Sequence, residues 1–243
     1  MEKRIAAFFD IDGTLYREGL ITEVFKKMIR YEIIEQERWF NDVKPEYTKW
    51  DKRQGDYDNY LLKMIEIYME AIKGLTKDQI EFIANRVIEQ KGDRVYTFTR
   101  DRIKWHKEQN HILITISGSP SELVREMANK YGFDDYKGAV YIVDEENKYT
   151  GDVIPMWDSE SKEKAINELV EKYNIDLSKS YAYGDTAGDY TMFKKVENPF
   201  CMNPTKELLK KVLEDEELKE KINVIVERKD VTYKLKVDDI QFN

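Results

Sequence analysis

The chain has few of the residues that staple a fold, hold soft metals or span bilayers. Cys201 is the one cysteine in 243 residues. That excludes an intrachain disulfide framework and suits a reducing cytoplasm. A lone cysteine reads as a small buried hydrophobe rather than a catalytic thiol. The only two histidines, His106 and His111, lack zinc-ligand spacing and are assigned structural roles. No run approaches the ~20 apolar residues that cross a bilayer. The apolar stretch before Asp10 is too short for the hydrophobic part of a signal peptide and runs straight into carboxylates, which argues against export. Positive charge is also in deficit: 40 Lys+Arg against 48 Asp+Glu leave a net charge of −8. Such a surface has no field for holding a polyanion, so neither nucleic acid nor membrane is expected as a partner. There is no internal repeat and no low-complexity tract.

The hydrophobic share of 41% and the aromatic share of 12% suffice for a packed core. The charged share of 36% exceeds the usual ~25% and implies a heavily solvated surface. The length allows one large domain, or a core domain with an insertion. A cytoplasmic monomer or homodimer is expected.

Short apolar runs alternate with helical patterns, which points to an α/β fold with a mostly parallel sheet. Strands are predicted at Ile5–Phe9, Ile112–Ile116, Ala139–Val143, Tyr181–Tyr183 and Asn223–Val226. Several end in Asp, Ser or Gly, the residue types that suit the carboxyl-end crevice where open α/β sheets bind ligands. About a hundred residues separate the first two strands, far more than the dozen or so of a crossover. This stretch is helical in pattern. Leu20 to Ile34 is one candidate helix. Tyr60, Leu61, Met64, Ile65, Tyr68 and Ile72 form a stripe ended by Gly74. Thr76 to Gln79 reads as a capping box ahead of Ile80, Ile83, Ala84, Val87 and Ile88. The stripes read as core. A later helix is predicted to start with Ser119 as N-cap and Pro120 in its first position. Residues 139–155 read as a hairpin turning at Glu146–Lys148, and the charged run Glu214–Lys221 as a solvated helix.

Four constellations carry chemistry. Asp10 and Asp12 end the first strand. Side chains at i and i+2 of an extended segment share a face, so both could address one site, with Gly13 allowing the turn. Taken alone, the same residues also read as an Asp-Gly turn closing a strand. Ser117 and Gly118 end the second strand ahead of a helix N-terminus, where a hydroxyl and free N–H groups could hold an anion or could simply cap the helix. Lys162 lies in the first turn of a helix, against the macrodipole; a surface lysine is the alternative, and Lys164 is a nearby competitor. The fourth is Gly184-Asp185-Thr186-Ala187-Gly188-Asp189, carboxylates at a strand end with glycines beside them. Converging carboxylates suit a hard cation such as Mg²⁺.

The joint order of these motifs closely resembles the haloacid dehalogenase superfamily of aspartate-nucleophile phosphohydrolases, within it the phosphoserine-phosphatase-like branch. The first motif matches at Asp10-Ile11-Asp12-Gly13-Thr14, the second at Ser117, the third at Lys162 and the fourth at Gly184–Asp189. Lys162 is chosen over Lys164 because its distance to Asp185 is the one usual in this branch. The resemblance implies a Rossmann-like three-layer core (1–17 and 93–243) and a helical cap domain inserted after the first strand (18–92). It implies a Mg²⁺-dependent phosphatase acting on a small phosphorylated metabolite. Asp10 would be the nucleophile and Asp12 the general acid and base. Asp10, the Asp12 backbone carbonyl and Asp185 would hold Mg²⁺, with Asp189 in support. Thr14, Ser117, Gly118 and Lys162 would bind the phosphoryl group, and Thr14 would also steady the first loop. Family dehalogenases lack an acid at the position of Asp12, so its presence favours phosphoryl transfer.

The chain departs from phosphoserine phosphatases at three places. The acid after the first motif, Glu18, comes one residue early. Leu62 stands where an arginine that grips the substrate carboxylate is expected, and Gly188 stands where Asn is usual. Transfer to an acceptor other than water, phosphoserine hydrolysis proper, and a silent phosphate-binding module are the alternative readings.

Overall fold

The computed structural model describes residues 2–55 and 57–241. Its core is one eight-stranded sheet: β1 (Ala6–Phe9), β2 (Ile112–Pro120), β3 (Asp135–Val143), β4 (Tyr149–Ile154), β5 (Tyr181–Gly184), β6 (Asn198–Met202), β7 (Asn223–Arg228) and β8 (Val231–Leu235). The spatial order is β4-β3-β2-β1-β5-β6-β7-β8. The six inner strands are parallel, and hairpins add β4 and β8 antiparallel at the two edges. The helices are α1 (Leu20–Arg30), α2 (Gln36–Arg38), α3 (Lys44–Asp51), α4 (Tyr57–Ile72), α5 (Lys77–Lys91), α6 (Thr97–Glu108), α7 (Ser121–Tyr131), α8 (Ser159–Tyr173), α9 (Tyr190–Lys195), α10 (Lys206–Leu213) and α11 (Glu216–Lys221). A wide π-type turn, Trp39–Val43, joins α2 to α3.

All five predicted strands form. The inner strands are short and apolar because parallel strands are covered on both faces. Phe8, Ile114 and Ala182 pack in one apolar cluster with Ile166 and Leu169 of α8; Phe9, Leu113 and Tyr183 pack in the other, which continues into α1, α4 and α5. Sheet and helices thus make three layers. Cys201 is buried on β6, and its thiol is pushed well up by burial.

The segment between β1 and β2 is helical, as its periodicity requires. The predicted stripe of α4 is buried at Tyr60, Met64, Tyr68 and Ile72 and partly buried at Leu61 and Ile65. Gly74 ends that segment at φ +82°. The Thr76–Gln79 capping box forms as predicted, each residue bonding the other's backbone N–H. This insertion is fastened to the hairpin of β3 and β4: Gly74 N donates to Tyr149 O (2.9 Å), Tyr149 N to Leu75 O (3.0 Å) and Lys77 N to Asn147 O (2.9 Å).

Two strands escaped the reading. β6 carries Pro199, which argues against an inner strand. Pro199 is tolerated because it pairs only with Ala182 of β5; pairing with β7 begins one residue later, at Phe200. β8 is an exposed edge with Thr and Lys between its apolar residues, so it lacks a continuous run. The predicted start of α7 is corrected. The helix begins at Ser121, and Pro120 occupies the N-cap position without a side-chain cap.

Candidate active site

The loops after β1 and β5 and the carboxyl end of β2 meet the first turn of α8. Asp10 follows β1 directly, and its N–H donates to Tyr183 O of β5 (2.9 Å). Its Oδ1 accepts from Lys162 Nζ at 2.9 Å, and the same ammonium donates to Asp189 Oδ1 at 2.6 Å. All three side chains are buried. Asp158 caps α8 by accepting from Ser161 N (2.8 Å), and the helix then buries Lys162 in its first turn. Lys164 is exposed and pairs with Glu160 on its own helix. Of the two lysines, Lys162 is the one buried against Asp10 and Asp189.

Asp185 lies next to this pair. Thr14 Oγ1 donates to its Oδ1 at 3.0 Å. Gly13, at φ +81°, turns the first loop so closely over Asp185 that any Cβ there would overlap the carboxylate. Asp189 is saturated: its Oδ2 accepts from the N–H groups of Asp185 and Thr186 and from the Thr186 hydroxyl (3.0, 3.0 and 3.2 Å), while Oδ1 takes Lys162. Asp10, Asp185 and Asp189 each offer an oxygen within 4.8 Å of the others.

Asp12 belongs beside this cluster but not in it. Its Oδ1 accepts from Leu20 N (2.7 Å), at the start of α1, and its Oδ2 from Ser117 Oγ (3.2 Å) and Ser119 Oγ (2.5 Å). The two carboxylates of the first motif thus serve adjacent partners rather than one point. Ser119, read from sequence as a helix cap, is instead a ligand of Asp12. The Ser-Pro-Ser-Glu pattern concealed this, because a cap and a carboxylate partner ask for the same residue type. Gly118 stands between the two serines.

Burial sets the protonation. It lifts Asp10 from 3.8 to about 8 against the pull of Lys162, with Asp189 and Asp12 adding to the rise. It also raises Asp12, opposed by the hydrogen bonds from Ser119, Leu20 and Ser117. Asp185 is pushed well up by burial and then by Asp10 and Asp189. Burial works against the charge of Lys162, but Asp10 and Asp189 outweigh it and hold the ammonium above its ordinary range. His106 and His111 lie elsewhere. Their Nδ1 atoms meet at 2.8 Å, and His106 Nε2 meets the Tyr183 hydroxyl at 2.9 Å. Burial, then Arg102 and His111, lowers His106 to about 2, so its ring is neutral.

Leu62 is exposed on α4, at 54% of its surface. Lys63 pairs with Glu66 (2.8 Å), Arg17 with Glu227 (3.2 Å) and Arg94 with Glu18 (2.8 Å); Arg53, also close to Leu62 in sequence, follows α3 at φ +61°.

A profile of the haloacid dehalogenase-like hydrolase family matches residues 7–194. Phosphoserine phosphatase of Methanocaldococcus jannaschii is 27% identical over 242 residues, covering 97% of this chain and 98% of that protein. The "Inhibition of morphological differentiation protein" of Streptomyces azureus is 25% identical over 212 residues, covering 86% of this chain and 76% of its own. Among solved structures, a substrate-bound phosphoserine phosphatase superposes with a TM-score of 0.61 at 22% identity, covering 95% of this chain and 96% of its own, and so shares the fold.

Proposed function

Because the chain belongs to the haloacid dehalogenase-like hydrolase family, we propose that it is a phosphatase that hydrolyses a small-molecule phosphomonoester through an aspartyl phosphate. Residues 1–17 and 93–243 form the catalytic core in this reading, and 18–92 its cap. The observation that carries it is the pairing of two carboxylates with different surroundings: Asp10 held by a buried lysine inside an acid cluster, and Asp12 held apart by hydroxyls and a backbone N–H.

An Asp10 oxygen attacks phosphorus as the bond to the leaving oxygen breaks, which divides one hard displacement into two easier ones. Asp12, its pKa raised by burial, holds the proton that the leaving oxygen takes. It then accepts a proton from the water that attacks the aspartyl phosphate, releasing phosphate and restoring Asp10. Positioned proton transfer of this kind is worth roughly 10²–10⁴-fold. Lys162 and the hydroxyl of Ser117 stabilise charge on the phosphoryl oxygens.

The three clustered carboxylates are hard, anionic oxygen donors, a set that fits Mg²⁺. Asp10, Asp185 and the Asp12 backbone carbonyl would hold the ion, with the saturated Asp189 in support. When bound, it supplies positive charge between an anionic nucleophile and an anionic phosphate. The decisive experiment is Asp10→Asn, which should fold and release essentially no phosphate, together with acid trapping of labelled wild type. Label on any residue but Asp10, or substantial activity in the variant, refutes the mechanism.

A further inference from the structure

Ser117 and Asp189 reach the site from strands on opposite sides of β1, about 10 Å apart at ~4.8 Å per strand. Lys162 enters from the first turn of α8. Trp157, two residues before that helix, lies against two of these approaches and leads into the third. On one side, a Cβ at Gly118 would come within 2.8 Å of Trp157 Cβ and 3.2 Å of its Cα. On the other, a Cβ at Gly188 would overlap the Trp157 carbonyl oxygen. Neither glycine has a positive φ, so the backbone conformation does not demand glycine at either position. Contact with Trp157 does.

Gly118 adjoins Ser117, and Gly188 adjoins Asp189. Lys162 N donates to the carbonyl of Asp158, the residue after Trp157, at 3.1 Å. Two further bonds fasten the segment: Ser159 Oγ donates to Ala187 O, and Thr191 Oγ1 to Ser159 O, both at 2.9 Å. Trp157 also parts company with the helix it precedes. Ala165, Ile166 and Leu169 of α8 pack in one apolar cluster, whereas Trp157 packs against the other, the cluster shared with α1, α4 and α5.

We infer that Trp157 is a positioning residue, a spacer wedged between the carboxyl end of β2 and the loop after β5 that sets the separation of Ser117 from Asp189 and fixes the turn carrying Lys162. Position 188 is glycine because the Trp157 backbone occupies the space a Cβ would take. The inference rests on the phosphatase reading for its kinetic consequence, but not for its geometric one.

The test is a set of double-substitution cycles read by phosphate release from p-nitrophenyl phosphate with saturating Mg²⁺. Gly118→Ala should lower kcat by about tenfold or more with a smaller change in KM, because sub-ångström misplacement of reacting groups is costly. That loss should shrink to about threefold or less in a Trp157→Gly background, which removes the Cβ at 2.8 Å. It should persist in Trp157→Ala, which keeps that atom. Gly188→Ala should cost the same in all three backgrounds, since its contact is with a backbone oxygen. A Gly118→Ala loss that Trp157→Gly leaves untouched, or a Gly188→Ala loss that it repairs, overturns the inference. If Gly188→Ala does not fold, the Gly118 arm decides. Amide exchange gives a readout without catalysis: residues 159–162 and 187–189 should exchange faster in Gly188→Ala or Trp157→Gly than in wild type, and unchanged rates refute the wedge. A wild type that releases no phosphate refutes the phosphatase reading, and the exchange measurement then decides the wedge alone.

Discussion

Metal-free protein should lose stability as pH rises through the interval in which Asp10 is protonated only when folded. The unfolded carboxyl titrates near 3.8 and the folded one at about 8. Below that interval both states hold the proton, and Asp10 contributes nothing. Within it the folded state binds more protons, so stability falls with increasing pH, and above it the full penalty stands. At about 1.36 kcal/mol per pH unit the whole interval is worth roughly 5–6 kcal/mol. This is a ceiling, because Asp10, Asp185 and Lys162 titrate together. Half of it, ~3 kcal/mol, shifts the melting point of a chain this size by about 6–12 °C. The assay is thermal unfolding in chelator from about pH 5 to about pH 8.5, the region this interval spans, for wild type and Asp10→Asn. The variant has no carboxyl to titrate at that position and leaves Lys162 its bond to Asp189. Its curve should stay flatter by that amount, and Mg²⁺, which needs ionised carboxylates, should remove most of the wild-type decline. Parallel curves for the two proteins would refute the assignment of a buried, proton-holding Asp10.

Chelation should abolish phosphate release and Mg²⁺ should restore it, with Ca²⁺ a poor substitute because its looser coordination disturbs in-line geometry; undiminished turnover after exhaustive chelation contradicts the metal reading. Lys162→Ala should reduce kcat strongly, whereas Lys164→Ala, which removes only an exposed pair with Glu160, should leave turnover near wild type; steady-state kinetics showing the reverse ranking would reject Lys162. Phosphoserine should be a mediocre substrate, since Leu62 is exposed and Lys63, Arg17 and Arg94 are already paired, leaving a buried substrate carboxylate without a partner from these groups. A side-by-side kcat/KM comparison with sugar, polyol, choline-type and nucleotide monophosphates checks this, and a tenfold advantage for phosphoserine, about 1.4 kcal/mol, would overturn it.

The α/β alternation was legible because inner parallel strands are short continuous apolar runs, and the insertion because its helices keep a 3.6-residue period. Asp10, Asp12, Asp185 and Asp189 were legible as acids at strand ends. Their partition was not. Nothing in the spacing of Asp10 and Asp12 tells that one carboxylate meets Lys162 while the other meets Ser117, Ser119 and Leu20 N; apart from Leu20, these partners are more than a hundred residues away, on β2 and α8. Ser119 was misread because local sequence offers a helix start. Pro199 hid β6 because a proline's meaning depends on which neighbour pairs with it. Gly188 read as a glycine that lets the backbone close on a ligand and Gly118 as part of an anion-binding strand end; that both also lie against Trp157 is not legible in the sequence.

Charge arithmetic links the protonation of this site to its need for a cation. Asp10, Asp185 and Asp189, if all ionised, bring three negative charges to one buried point, and Lys162 returns one. Two like charges ~4 Å apart repel by about 4 kcal/mol at an effective dielectric of 20. Burial, and after it the neighbouring carboxylates, drives Asp10 and Asp185 both up, so in the absence of metal the site retains protons. A divalent cation removes the same excess without protonating the nucleophile. In the mechanism we propose, protons and Mg²⁺ therefore compete for one charge deficit, and of the two only the cation would leave Asp10 able to attack phosphorus.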